Sequence, residues 1–181
     1  EIFYMTSLNG GTISKTLKEL KRNGLDSIPG TAAEILDDDI RKIICPNKIS
    51  VSQWIDIIKT AHKVGIPTTS TMMYGHIETP EERIRHLIGL RDLQSRKPVN
   101  NYGFITFVPW PFQDRGTVLA KKYGVYNTTT MTDYIRLIAI SRIVLNNITN
   151  IQSSILTTGR DAALMTLNAG ANDLGSVMIE E

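Results

Sequence analysis

Thr71-Met72-Met73-Tyr74-Gly75-His76-Ile77-Glu78-Thr79-Pro80-Glu81-Glu82-Arg83 is the stretch that decides the fold. Pro67 to Tyr74 is rich in threonine and apolar residues, as a buried strand is, and Gly75 closes it. Thr79 then supplies an N-cap, Pro80 an N1 residue and Glu81 with Glu82 a first-turn acid pair, which predicts a helix to about Gln94. A strand that hands over within a few residues to a helix of this length is half of a βαβ unit, and its neighbouring strand is parallel.

The same alternation extends in both directions. Toward the N-terminus, Thr12 to Arg22 places Ile13, Leu17 and Leu20 on one helical face and ends at Asn23-Gly24. Leu25 to Ile28 reads as a short strand closed by Pro29-Gly30, and Ala32 to Ile43 as a charged helical stretch. Ser50 and Gln53 form a capping-box pattern that opens a helix through Trp54, Ile57, Ile58 and Ala61, ended by Gly65. Toward the C-terminus come a strand at Gly103 to Val108, a long loop through Pro109, Pro111 and Gly116, and a helical turn at Val118 to Tyr123. A full helix at Met131 to Leu145, a strand at Ile148 to Leu156, a helix at Gly159 to Asn168 and a last strand at Asp173 to Ile179 complete the series. The fold class is α/β, with five parallel strands in an open doubly wound sheet or in part of a TIM-type (β/α) barrel. A complete barrel takes ~250 residues. The 181 residues therefore read as strands four to eight of such a barrel with their helices, all in one domain over 1–181.

Composition narrows the function. Twenty basic and 18 acidic side chains leave a net charge of +2 with no long basic cluster, which argues against nucleic acid as a partner. No apolar run approaches the ~20 residues of a membrane span, so a cytoplasmic protein is expected. The single cysteine, Cys45, rules out an intrachain disulfide and any all-cysteine metal or iron–sulfur site built from this chain alone, and it reads as a structural thiol. The absence of an initiator methionine and the stop at Ile179-Glu180-Glu181, directly after an apolar segment, suggest a C-terminal part of a longer protein.

In a parallel sheet the chemistry sits where strands hand over to helices. The first handover, Pro29-Gly30-Thr31-Ala32-Ala33-Glu34, pairs small residues that admit a ligand with one carboxylate, and an ordinary tight turn is the alternative. The second carries His76 and Glu78, which equally fit a structural histidine and a helix N-terminal acid. The third, Pro109-Trp110-Pro111-Phe112-Gln113, offers aromatics that could floor a pocket or pack over a barrel end. No phosphate-binding glycine loop or nucleophile elbow is present, His62, His76 and His86 lack metal-ligand spacing, and His62 and His86 read as surface residues.

Gly24-Leu25-Asp26-Ser27-Ile28-Pro29-Gly30, the Thr71 to Arg83 stretch and Gly170-Ala171-Asn172-Asp173 together closely resemble radical S-adenosylmethionine enzymes. The subgroup is that of the menaquinone futalosine pathway and the deazaflavin-precursor synthases, with biotin synthase as a more distant relative. Phe107 to Gln113, Asn150-Ile151-Gln152-Ser153-Ser154 and Gly175 to Glu181 look most like the dehypoxanthine futalosine cyclases, the Pro-Trp-Pro-Phe-Gln loop favouring them over aminofutalosine synthase and deazaflavin-precursor synthase. The resemblance implies an oxidoreductase in which reductive cleavage of S-adenosylmethionine yields a 5′-deoxyadenosyl radical that abstracts a ribose hydrogen. The sugar radical then adds to the attached benzoate ring, and loss of an electron and a proton leaves the cyclic spiro product. It also implies a small-molecule substrate, an external one-electron donor and a [4Fe–4S] cluster whose three cysteines lie outside this chain, with the first three strands. By position, Glu34 would hold the cofactor ribose, and Lys48 or Arg41 its carboxylate. Met73, Tyr74 and Gly75 would line the adenine, with Glu78 also on the cofactor side. Thr31, His76, Trp110, Phe112 and Gln113 would face substrate, with Ser153 and Asn172 behind them. Thr31-Ala32 stands where relatives usually carry glycines, so the loop there is expected to be crowded or shifted. The other reading is of a different class: a non-catalytic partial barrel with an exposed sheet edge.

Overall fold

The computed structural model describes residues 1–30 and 32–175. Four parallel strands lie in the order β1 (Thr68–Tyr74), β2 (Phe104–Pro111), β3 (Asn150–Ser153) and β4 (Asp173–Leu174). Neighbouring strands in this order are neighbours in sequence, as expected for consecutive crossovers in a partial radical SAM barrel of TIM type. The helices are α1 (Ile2–Leu8), α2 (Ile13–Arg22), α3 (Asp38–Ile44), α4 (Val51–Lys63), α5 (Pro80–Ser95), α6 (Val118–Tyr123), α7 (Met131–Val144), α8 (Ile155–Thr158) and α9 (Arg160–Thr166).

Local chemistry sets the helix starts. Reciprocal capping boxes at Ser50/Gln53, Thr79/Glu82 and Thr130/Asp133 open α4, α5 and α7, each satisfying two backbone donors that would otherwise lack partners. Five expectations need correction. Leu25 to Ile28 makes only one parallel bridge, Ile28 to Thr68, because Gly30 follows at once and its amide turns to the Thr69 hydroxyl, 2.6 Å away. The Ala32 to Ile43 helix begins only at Asp38, where Asp37 caps it by accepting from the Asp39 and Ile40 amides, and the residues before it form a loop. β2 runs on through Pro109 to Pro111, past the predicted end at Val108. Phe112 N–H donates to the Tyr74 carbonyl at 2.7 Å, so by alternation the nitrogens of Pro109 and Pro111 face the β3 side, where pairing stops at Phe107. Their missing N–H groups therefore cost no ladder bond. The fourth predicted strand, Ile148 to Leu156, shortens to Asn150–Ser153 and passes into α8. Finally, α1 was not foreseen; its Ile2 packs against the small core of Leu17, Ala61 and Ile66. Of the predicted last strand Asp173–Leu174 form β4, and residues 176–179 lie outside the described residues.

The main core sits between the sheet and its helices. Met72, Tyr74, Phe107 and Ile151 on the strands pack with Leu87, Leu90, Leu137 and Ile138 on α5 and α7. His62 and His86, expected at the surface, are buried on this side, each about 1% exposed. His62 Nε2 meets the Thr68 hydroxyl at 2.9 Å, and His86 Nδ1 accepts from Leu36 N–H at 3.0 Å. Burial pushes His62 down to about 4 and His86 to about 3, so both are neutral packing residues. Among the described residues no helix is long and apolar enough to cross a membrane.

Candidate functional site

Alternation along the strands assigns two faces. Met72 and Tyr74 belong to the helix-side core, so Thr71 and Met73 point the other way, toward the concave face of the sheet. The register then carries Val108 and Trp110 of β2 and Gln152 of β3 to that face, with Asp173 of β4 beside Gln152. Ser153 falls on the opposite, helix side. It is fully buried there, and its hydroxyl lies 3.0 Å from the Tyr134 hydroxyl, which also accepts from Ser154 N–H at 2.9 Å.

The first loop comes up against β1. Gly30 is obligatory, since a side-chain carbon there would run into the Thr69 carbonyl. Ala32 and Glu34 both hold left-handed backbone, at φ 73° and 46°. Neither is glycine, so each carries strain of roughly 1 kcal/mol or more. Four hydrogen bonds hold the loop in this shape. Arg41, buried at 3% exposed, donates Nη1 to the Ala32 and Ala33 carbonyls (2.9 and 2.6 Å) and Nη2 to Ile49 O (2.7 Å). Met73 N–H donates to the Glu34 carbonyl at 2.8 Å, which sets Glu34 beside the end of β1. The Glu34 side chain pairs with Lys48 through Oε1, while Oε2 is buried without a hydrogen-bond partner among the described residues.

The second loop closes on itself. Glu78 has no exposed side-chain surface. Its Oε1 accepts from Gly75 N–H (2.6 Å) and Arg83 Nε (2.7 Å), and its Oε2 from His76 N–H (2.9 Å). Burial alone pushes this carboxyl up, but the His76 hydrogen bond and charge, the Gly75 amide and the Arg83 guanidinium outweigh it and hold the group at about 2. His76 is equally enclosed. Nε2 faces the Met73 carbonyl at 3.1 Å, which requires a proton there. Nδ1 lies 2.8 Å from Ile77 N and 2.9 Å from Glu78 Oε2, accepting from the amide when the ring is neutral and donating to the carboxylate when it is doubly protonated. Arg83 also covers the Tyr74 ring at 5.3 Å. The pair His76 and Glu78, expected on substrate and cofactor, is thus placed as the internal frame of the loop that carries Met73 and Gly75.

The remaining expected residues divide. Trp110 is half-buried on the concave face opposite Met73. Phe112 is buried, edge-on to His76 at 6.4 Å, and Gln113 is exposed with its amide donating to Pro111 O at 3.0 Å. Asn172 is placed away from the strand ends. Its Oδ1 accepts from Ile151 N–H (2.8 Å) and Arg142 Nη2 (3.0 Å), and its Nδ2 donates to Thr149 O, which ties β3 to β4 at their start. Thr31 lies outside the described residues. Sequence reasoning missed Gln152 and Asp173 on the concave face; choosing Ser153 over its neighbour Gln152 is a one-residue slip, and such a slip changes faces.

A cofactor of the expected kind can be tested against these groups. Glu34 Oε2 is a buried acceptor in want of a donor, which suits vicinal ribose hydroxyls, and Lys48 beside it can face a carboxylate. Nη1 and Nη2 of Arg41, the other candidate for that carboxylate, are taken by backbone carbonyls, while its Nε is buried without a partner among the described residues. An iron–sulfur cluster does not fit the chain's own residues. Cys45 is the one thiol, burial pushes it up, and no group of three metal-ligating side chains occurs among the described residues.

Comparison with known proteins matches the geometry. Residues 1–88 match the radical SAM superfamily, and residues 101–181 match the CofH/MqnC C-terminal region. A protein of Methanosarcina barkeri named 5-amino-6-(D-ribitylamino)uracil–L-tyrosine 4-hydroxyphenyl transferase 1 is 44% identical over all of this chain and 48% of its own length. Transferases of the same enzyme name from Archaeoglobus fulgidus and Methanothermobacter thermautotrophicus are each 44% identical over all of this chain, covering 51% and 48% of theirs. The chain spans about half the length of the curated relatives it matches. These matches overturn the expectation of a futalosine cyclase in menaquinone synthesis. The segments that favoured the cyclase, Phe107 to Gln113, Asn150 to Ser154 and Gly175 to Glu181, therefore did not separate it from the transferases. With its strand-end loops built on parallel strands and its two halves matched in order, the chain is similar over residues 1–88 to the radical SAM superfamily and over residues 101–181 to the CofH/MqnC C-terminal region.

Proposed function

We propose that this chain supplies the cofactor-cradling and substrate-facing loops of a 5-amino-6-(D-ribitylamino)uracil–L-tyrosine 4-hydroxyphenyl transferase, a deazaflavin-precursor enzyme. The observation that carries the reading is the 44% identity over the entire chain to relatives of that name. When bound to a reduced cluster, S-adenosylmethionine supplies hydrogen-atom abstraction; the protein's part is placement and the exclusion of water. Glu34 accepts from the cofactor ribose through Oε2, and Lys48 pairs with the cofactor carboxylate or holds Glu34 in place through Oε1. Met73 and the Gly75 backbone bound the adenine, and the His76–Glu78–Arg83 frame keeps that edge still. Trp110, above the concave face, covers the substrate. The cluster ligands, in this reading, belong to parts of the protein outside these 181 residues.

The test is anaerobic turnover by the protein carrying this chain, after cluster reconstitution. With L-tyrosine and 5-amino-6-(D-ribitylamino)uracil, the expected product joins the 4-hydroxyphenyl group to the uracil. Inertness toward this pair, with consumption of any other substrate under the same conditions, would refute the assignment.

A further inference from the structure

The concave face of this sheet has the wrong chemistry for a packed core. The interior of a parallel barrel is ordinarily filled by layers of bulky branched side chains. Here one layer reads Thr71, Val108, Gln152 and Asp173 from β1 to β4. Thr71 is already used, its hydroxyl donating to the Gly30 carbonyl at 3.0 Å. Gln152 and Asp173 are not: among the described residues neither side chain makes a hydrogen bond or ion pair, and both are half-buried rather than projecting into solvent. In the layer below, the Thr106 hydroxyl is buried without a partner. Gly175 lets the chain pass close beside β3, since a side-chain carbon there would sit 2.8 Å from Ser153 O. A carboxamide and a carboxylate thus lie side by side on the sheet's concave face, half-buried and without a protein partner among the described residues, so their polar atoms are left to solvent or to a ligand.

We propose that Gln152 and Asp173 form the specificity-determining edge for the pyrimidinedione substrate, a reading that rests on the function proposed above. A primary carboxamide presents one donor and one acceptor in a plane, which matches the C=O and N3–H of a uracil imide in a paired arrangement. Asp173, one strand over at the same level, accepts from the exocyclic amino or ribityl donors. L-Tyrosine has no imide edge, so Gln152 contributes nothing specific to it. Both residues are positioned for substrate rather than for the cofactor loops, which lie over the β1 end of the sheet.

The experiment is isothermal titration of the protein carrying this chain with S-adenosylmethionine present. The titrants are 5-amino-6-(D-ribitylamino)uracil, its N3-methyl analogue and L-tyrosine, applied to wild type, Gln152→Glu and Asp173→Asn, with thermal melts to confirm folding. The expected result is uracil affinity reduced about ten-fold or more by Gln152→Glu and several-fold by Asp173→Asn, with tyrosine affinity unchanged. The N3-methyl analogue should bind wild type about ten-fold more weakly, and Gln152→Ala, a third variant, should erase that difference. If wild type binds the uracil and neither variant weakens it, the inference is overturned while the proposed function stands. If the variants weaken tyrosine instead, the edge belongs to the amino acid and the inference is likewise overturned. If wild type binds neither titrant, the proposed function itself fails.

Discussion

Replacing Glu78 by glutamine tests the frame of the second loop. The carboxylate accepts from two backbone amides and Arg83 in an environment without exposed side-chain surface, and it is held at about 2 against an ordinary 4.5. That depression, taken at ~1.4 kcal/mol per unit, corresponds to about 3 kcal/mol of native-state stability. The mutational route agrees. Glutamine keeps one acceptor oxygen but turns an NH2 group toward a backbone N–H and leaves Arg83 without its counter-charge, and breaking a buried pair costs about 3–5 kcal/mol. Because Arg83 is 20% exposed and can recruit water, the low end applies. The sign follows from the direction of the shift. A carboxyl depressed on folding stabilises the protein fully above its unfolded value near 4.5 and loses that contribution as pH falls toward 2. Urea unfolding of both proteins at several pH values should show Glu78→Gln less stable by about 3 kcal/mol at pH 7, with most of the gap closed at pH 2. A variant within 1 kcal/mol of wild type at pH 7, or a gap that does not narrow on acidification, would refute the frame.

Glu34→Gln should weaken S-adenosylmethionine binding and, because the partner Lys48 is 42% exposed, cost no more than about 1 kcal/mol of stability through the lost ion pair; calorimetry with unchanged affinity would remove Glu34 from the cofactor site. Ala32→Gly should raise stability by roughly 1 kcal/mol, because φ 73° suits glycine, and a fall in the urea midpoint would contradict the loop conformation. Tyr134→Phe removes the hydroxyl shared by Ser153 and Ser154 N–H and should cost about 1–3 kcal/mol in denaturant titration; a neutral change would count against the buried position of Ser153. His62 and His86, neutral when folded but able to protonate near 6.5 when unfolded, should make stability fall as pH drops below 6.5, and His86→Gln should flatten that slope.

The frame of the fold was legible in the residues. Capping boxes at Ser50, Thr79 and Thr130 are local hydrogen-bond chemistry, written within four residues, and the order of strands and helices follows from them and from hydrophobic period. Short apolar runs were less informative. Leu25 to Ile28 looks like a strand, yet the close passage of Gly30 over Thr69 leaves it one bridge, and that contact spans 39 residues of sequence. The same limit governs the site. The sequence by itself determined a parallel α/β architecture, the loops at which function gathers and the impossibility of a three-thiolate cluster on one cysteine, because these depend on local pattern or on counting. Only the tertiary structure decided which polar side chains are free. Arg41, His76, Glu78, Ser153 and Asn172 make hydrogen bonds inside the protein, while Glu34 Oε2 and the side chains of Gln152 and Asp173 have no hydrogen-bond partner among the described residues, and that division depends on partners brought close by crossovers rather than on neighbours along the chain.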